Sequence, residues 1–267
     1  MGSGSNGGRR GEKAGRGCEK AGGRGVKSGL RRRAYLAGWR LTHRGTERTC
    51  PACETSVSRF APFGVVQRPD AQCPACGSLE RHRALWLYLR RRTDLLTGPL
   101  RVLAVAPDPY LERRARELPW DYLSIDVEPG KAMRTMSLTR LDLPDDDRDL
   151  LICYHVLEHI TDDRAAMREM RRVLRPEGQA IVEVPLAGEE TDEQFRDAPE
   201  AVRAERYGQP DHVRLYGRTD FLRRLGEAGL DAEEILVGDL FAGQVVAAAL
   251  MPEERFFVAR RSVGRAA

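Results

Sequence analysis

The sequence lacks two features: a long apolar run, and a glycine-rich loop directly after the first predicted strand. No stretch approaches the roughly 18 apolar residues of a membrane span, and the first residues are glycines and charges where a signal peptide would be apolar. We therefore expect a cytoplasmic protein with no membrane partner. With 41% hydrophobic residues in a chain of 267, a sizeable core is still possible.

The positive charge is concentrated at the N-terminus. Residues 1–48 hold ten Arg and three Lys against three Glu, so the rest of the chain carries −6 although the whole chain carries +4. We predict that residues 1–44, rich in Gly and Arg, form a disordered tail, with a nucleic-acid-binding tail as the alternative. The acidic remainder argues against nucleic acid as the main partner, because such binding needs clustered positive charge.

Four of the six cysteines form two closely spaced pairs. Cys50 and Cys53 make the first Cys-x-x-Cys pair, and Cys73 and Cys76 make the second, nineteen residues further on. Two such pairs supply four thiolates for a tetrahedral zinc ion and leave no open position, so the zinc would be structural. We predict a small zinc ribbon with a linking amphipathic helix, capped by Ser78, over residues 45–97.

Strand and helix patterns alternate over residues 98–267. Buried apolar strands that alternate with amphipathic helices predict an α/β fold, a doubly wound, Rossmann-like sheet of seven strands. Asp108 and Thr161 are the expected N-caps of two of its helices, and the first of these helices has Pro109 at its first position. The predicted strands are RVLAVAP, DYLSIDVEP, a short third strand, DLLICYHV, QAIVEVPL, DAEEILVGD and ERFFVARRS.

In an open parallel sheet, the ligand lies over the carboxyl ends of the strands. Asp126 ends the second strand, where an acidic residue binds the ribose hydroxyls of an adenosine cofactor. A dinucleotide would also need backbone N–H groups from a Gly-x-Gly-x-x-Gly loop, whereas S-adenosylmethionine has no phosphate. The Ala-Pro-Asp-Pro loop after the first strand therefore favours S-adenosylmethionine. The cofactor-binding residues predicted at these strand ends are Ala106, Asp108, Asp126, Ser137, Leu138 and Cys153.

Five segments together resemble a known family: LRVLAVAPDPYLERR, YLSIDVEPGKAM, CYHVLEHITDDRAAMREMRRVLRPEG, AIVEVPL and GQPDHVRLYGRTDFLRRLGEAGL. They are similar to class I S-adenosylmethionine-dependent methyltransferases of the type 11 group. The chain resembles most a bacterial subset with an N-terminal zinc-binding segment and an Ala-Pro-Glu-like first loop, in which Asp108 stands in place of the Glu. The resemblance implies methyl transfer, with S-adenosylmethionine as cofactor and structural zinc.

Methyl transfer requires a group that removes the acceptor's proton, and a neutral histidine suits this task. The candidates are His155 and His159, around the end of the fourth strand, and His212, in the segment that follows the fifth. For His159 the structural alternative is that it packs against or caps the start of the helix at Thr161. Arg214 and Tyr216 would lie on the same side as His212 if that segment is extended, so we predict that they bind the acceptor. His212 as a loop anchor is the structural alternative.

Three functions are consistent with these residues. The leading hypothesis is methylation of a small molecule, a glycan or a natural-product intermediate. The second is RNA methylation, suggested by the zinc ribbon and the basic tail. The third is a catalytically silent methyltransferase fold that acts as a binding module.

Overall fold

The computed structural model describes residues 22–64 and 67–262. No helix in these ranges is long and apolar enough to cross a membrane. The helices are α1 (Gly22–Thr42), α2 (Glu80–Arg92), α3 (Pro109–Ala115), α4 (Asp163–Val173), α5 (Glu200–Tyr207), α6 (Arg218–Glu227) and α7 (Val237–Leu240). The strands are β1 (Arg48–Thr49), β2 (Ser56–Val57), β3 (Ala61–Phe63), β4 (Arg68–Gln72), β5 (Arg101–Val105), β6 (Asp121–Asp126), β7 (Arg134–Thr135), β8 (Arg148–Tyr154), β9 (Leu174–Glu183), β10 (Leu230–Leu236) and β11 (Arg255–Arg261).

Helix α1 corrects part of the predicted disorder. Residues 22–42 are helical, whereas the expectation for residues 1–21 lies outside the described residues. The helix is held to the cysteine-containing segment by its second half, where Leu36 is buried and the Trp39 indole N–H donates to the carbonyl of Arg59. Arg32 also donates to the carbonyl of Pro62. These contacts come from residues distant in sequence, so local composition did not reveal them.

The seven-stranded sheet has the order β10-β11-β9-β8-β5-β6-β7. The pairs from β9 through β7 are parallel, while β11 runs antiparallel to both β9 and β10. Two short antiparallel hairpins, β1 with β2 and β3 with β4, precede the sheet. The prediction of a seven-stranded, mostly parallel sheet is confirmed.

Apolar side chains cover both faces of the sheet. On one face, α2 and α3 pack through residues such as Trp86, Leu89 and Tyr110. On the other face, α4 and α6 pack through residues such as Met167 and Phe221. Because successive strand residues point to opposite faces, helices on both sides bury both faces of the central strands.

Two predicted helix caps are displaced by one residue. Helix α2 is preceded by Leu79, whose N–H donates to Nδ1 of His82, and the Ser78 hydroxyl lies instead among the cysteine sulfurs. Helix α4 is capped by Asp162, which accepts from the N–H of Ala165, in place of Thr161. The Asp108 cap of α3 is as predicted, with Oδ1 accepting from two backbone N–H groups.

Candidate functional site

The four paired cysteines converge at one point. Their sulfurs all lie within 4.8 Å of one another, and the Cys50–Cys76 and Cys53–Cys73 sulfur pairs are both 3.7 Å apart. A disulfide needs about 2.05 Å, whereas sulfurs 2.3 Å from a tetrahedral zinc ion are separated by about 3.8 Å. The four thiols therefore fit a zinc ion and do not fit two disulfides.

Groups from helix α2 and its start support the four-cysteine site. The hydroxyl of Ser78 lies 3.3 Å from the sulfur of Cys50 and 3.2 Å from that of Cys76. The guanidinium of Arg83 is fully buried and donates to the carbonyls of Ala71 and Ser78. Burial lowers the pKa of Arg83, but the nearby cysteines and Glu80 oppose this effect. Arg83 therefore ties the cysteine-containing segment to α2.

The loop after β5 makes a tight turn without glycine. Ala106 adopts a φ of +44°, in the left-handed region that is uncommon for residues other than glycine. Asp108 caps α3 and also binds α2, since its Oδ2 accepts from Arg81 at 3.1 Å and from Nε2 of His82. Burial alone would raise the pKa of Asp108, but His82, Arg81 and the N–H of Leu111 hold it well below its usual value.

The cofactor residues predicted near the ends of β6 and β7 have different surroundings. Asp126 is half-buried, and its Oδ1 accepts from the N–H of Glu128 at 2.8 Å. The Ser137 hydroxyl is occupied by Thr139, at 2.8 Å from its hydroxyl. Leu138 is 2% exposed and its side chain belongs to the core, so its predicted contact with a cofactor is not made by the side chain.

Neighbouring residues at the end of β8 have opposite surroundings. The Cys153 thiol is fully buried on the α4 side, where burial and the charge of Glu158 raise its pKa, so its predicted contact with a cofactor is not made by the side chain. His155 lies outside the core with a φ of +54°. Its Nδ1 is 3.3 Å from Glu158 and its Nε2 is 3.2 Å from Glu183.

The two carboxylates determine the charge of His155. Burial alone would lower its pKa, but Glu158 and Glu183 raise the pKa to about 9. The raised pKa favours the imidazolium form, and the role of His155 as a general base stays a prediction. His155 remains a site residue because it lines the cavities at this edge of the sheet.

Two adjoining cavities open at this edge, and Arg81 and His155 line both. The smaller cavity, of about 190 Å³, lies over β5 and β8 and is bounded by the loop that contains Ala106. The larger cavity, of about 600 Å³, continues past β9. Most of its charged lining comes from Arg68, Glu80, Glu183, Glu253, Glu254 and Arg255.

The segment after α5 has the predicted alternation, but its shared face points inward. His212, Arg214 and Tyr216 are all buried, and none of the three lines either cavity. Arg214 donates to Glu193 at 2.6 Å, and the Tyr216 hydroxyl donates to Asp163 at 2.7 Å. Arg214 also donates to the carbonyl of Thr161 at 2.9 Å, so both residues hold the start of α4. Their side chains point into the interior, which corrects their prediction as acceptor-binding residues.

His212 is likewise an interior residue. Its side chain is 3% exposed, its Nδ1 lies 3.1 Å from the carbonyl of Tyr207, and its Nε2 has no partner among the described residues. Burial lowers its pKa, so the ring is neutral. It has the charge state predicted for a base, but it does not reach the cavity where an acceptor would bind.

The sequence analysis missed three charged residues of the cavities. They are Arg81, which lies shortly after the second cysteine pair, and Glu183 and Glu254, which lie far apart in the chain. Burial and the charges of Glu183 and Glu80 raise the pKa of Glu254 to about 8. Only the position of Glu183 at the end of a predicted strand could have indicated its role.

This sheet order is that of a doubly wound, Rossmann-like fold, and Asp126 and the two cavities lie at the carboxyl ends of its strands. The family model described as "Methyltransferase domain", of the type 11 group, matches residues 87–182. The match covers just over a third of the chain, and the two cysteine pairs lie before it.

The chain is also similar to a known protein over part of its length. A "Probable S-adenosylmethionine-dependent methyltransferase" from Mycolicibacterium smegmatis is 30% identical over 115 residues, which are 43% of this chain and 38% of that protein. The chain thus spans less than half the length of this curated relative.

Solved structures with a similar fold include two S-adenosylmethionine-dependent methyltransferases. The structure from Mesorhizobium loti is 18% identical with a TM-score of 0.47, over 67% of this chain and 97% of that one. The structure from Archaeoglobus fulgidus is 13% identical with a TM-score of 0.47, over 69% of this chain and 95% of that one.

Proposed function

We propose that the protein transfers a methyl group from S-adenosylmethionine to a small polar acceptor, such as a hydroxylated natural-product intermediate or a glycan. The observation that carries the proposal is the pair of adjoining cavities that share Arg81 and His155. One cavity suits the methionine half of the cofactor and the other suits the acceptor. The shared wall is where the methyl group would pass.

The cofactor would bind along the strand ends. Asp126 has one carboxylate oxygen engaged by Glu128 and offers the other to the ribose hydroxyls. Val127, which is 67% exposed, offers an apolar surface to the adenine. Arg81 can pair with the methionine carboxylate, and the backbone of Ala106 passes beneath the ribose.

The larger cavity would bind and activate the acceptor. Transfer from a sulfonium is an in-line displacement, so the protein must mainly align the acceptor and accept its proton. Glu183 faces the cavity and is held by His155, which makes its carboxylate the proposed proton acceptor. The many carboxylates favour an acceptor with hydroxyl or amino groups, because such groups donate hydrogen bonds.

The four cysteines would hold a structural zinc ion. All five cysteines within the described residues are free, and four thiolates fill the coordination sphere, so zinc would stabilise the fold and take no part in methyl transfer. Reduced thiols of this kind suit the reducing cytoplasm, which is the location we propose.

Calorimetric titration of zinc-loaded protein with S-adenosylmethionine tests the cofactor site. We expect binding that Asp126→Ala weakens at least about tenfold, since hydrogen bonds to a charged group are lost. Asp121→Ala is the matched control, because Asp121 lies at the opposite end of the same strand and is 70% exposed. Folded wild-type protein that binds no S-adenosylmethionine would instead support a silent binding module.

An arginine-lined groove supports RNA methylation as the second candidate function. Arg33, Arg40, Arg44, Arg113 and Arg114 line a cavity of about 1130 Å³ between α1 and the cysteine-containing segment, with Glu117 as the one acidic residue in its lining. RNA bound there would dissociate steeply with added salt, because the contacts replace condensed counterions. RNA binding that is insensitive to salt and to Arg40→Glu would refute this candidate.

A further inference from the structure

Three side chains converge at the turn that follows β8, away from the four cysteines. Glu158 and His159 belong to the 3-10 turn Leu157–His159, and His212 comes from the segment before α6. One ligand atom from each lies within 4.8 Å of the others, and the two imidazole rings are 4.7 Å apart at an interplanar angle of 85°. None of the three lines the cofactor or acceptor cavity.

In both histidines Nδ1 lies beside a protein oxygen, which leaves Nε2 for a ligand. Nδ1 of His212 must donate its proton to the carbonyl of Tyr207, 3.1 Å away, so the lone pair is on the buried, unpartnered Nε2. Nδ1 of His159 is 3.3 Å from the carboxylate of Asp211, which leaves its Nε2 for a ligand. Histidines that bind metals are oriented in this way, by a carbonyl or carboxylate on the other nitrogen.

Glu158 supplies the negative charge. Its side chain is 1% exposed, and within the described residues neither carboxylate oxygen accepts a hydrogen bond. Its one close charged neighbour is His155, at 3.3 Å, and that imidazolium is shared with Glu183. A buried carboxylate without hydrogen bonds is costly, and a divalent cation would compensate it.

We propose that Glu158, His159 and His212 bind a second divalent metal ion, zinc by preference, distinct from the four-cysteine site. Two imidazoles and one carboxylate are a donor set of zinc sites that keep a fourth position open. Ligands of a tetrahedral zinc are about 3.4 Å apart, so small side-chain rotations would close the present arrangement on the metal. The ion would fix the turn after β8, and with it His155, to the segment that precedes α6.

Metal counting on the full chain tests this site independently of methyl transfer. The protein is equilibrated with excess zinc, and loosely bound ions are then removed. Elemental mass spectrometry should find two zinc ions per chain. His212→Ala and Glu158→Gln should each contain one. His43→Ala, which changes a histidine of the α1 segment, should retain two.

Cobalt substitution identifies which site is lost. The charge-transfer absorption band from thiolate to cobalt reports cobalt at the four cysteines alone. This band should therefore persist in Glu158→Gln, whereas binding of the second equivalent of cobalt should be lost. Asp211→Asn should weaken the second equivalent about tenfold or more, because Asp211 orients a ligand. One zinc per chain in the wild-type protein, or two in Glu158→Gln, would overturn the proposal. If His212→Ala does not fold, the isosteric Glu158→Gln decides.

Discussion

His155 and Glu254 both bind protons more tightly in the folded protein than in an unfolded chain. The pKa of His155 rises from 6.5 to about 9, so its stabilising charge is fully present below pH 6.5 and is lost as the pH rises through 9. The pKa of Glu254 rises from 4.5 to about 8. Between these pH values the unfolded chain has lost the proton that the folded protein still holds, so the free energy of unfolding falls as the pH rises. Both groups therefore make stability fall on the alkaline side.

We predict that the free energy of unfolding of protein loaded with one equivalent of zinc, enough for the four cysteines alone, falls between pH 6.5 and 9. Glu254→Gln should reduce the fall between pH 6.5 and 8 by roughly half, because one of the two groups no longer titrates. Urea denaturation at several pH values measures this. Glu253→Gln, a change at the exposed neighbouring residue, should leave the pH dependence as it is. Equal effects of the two variants would contradict the assignment.

Among the helices, α3 depends on a single side chain at its start. Asp108 accepts from the N–H groups of Tyr110 and Leu111 with one oxygen, and from Arg81 and His82 of α2 with the other. The same carboxylate thus begins a helix, fixes the turn at Ala106 and attaches α2 across the smaller cavity.

Asp108→Ala should lower the free energy of unfolding by about 2 kcal/mol, since a cap and charged hydrogen bonds are lost together. Asp108→Asn keeps a good cap and should lower it by about 1 kcal/mol. Urea denaturation of both variants, with calorimetry of S-adenosylmethionine binding, measures these effects. An Asn variant as unstable as the Ala variant would show that the cap contributes nothing.

Helix α3 and the strands beside it show what the local sequence can predict. Pro109 after Asp108 is a local signal for a helix start, and the buried strands β5, β6 and β8 have local apolar patterns, so these were predicted correctly. The alternation of Arg214 and Tyr216 was also correct, but which face is buried depends on distant partners. Long-range contacts of this kind, such as Glu183 beside His155, leave no trace in local sequence.

At the scale of the whole molecule, the four-cysteine segment and the sheet share one core. A single apolar cluster includes Phe60 from the cysteine-containing segment, Trp86 and Leu89 from α2, and Val102 and Ile152 from the sheet. A second link is made by Arg83, which donates both to carbonyls near the cysteines and to the carbonyls of residues 248 and 249. Helix α2 therefore belongs equally to both predicted domains, 45–97 and 98–267.

We predict from this shared core that zinc stabilises the entire chain. Scanning calorimetry of zinc-loaded protein should show one cooperative transition, and a chelator or Cys53→Ser should move that transition to lower temperature, because metal binding is coupled to folding. Cys18→Ser is the matched control, since Cys18 belongs to neither cysteine pair. A small transition that responds to zinc beside a large one that does not would instead mean that the cysteine-containing segment unfolds by itself. The shared packing of Phe60 against α2 would then contribute little to the stability of the sheet.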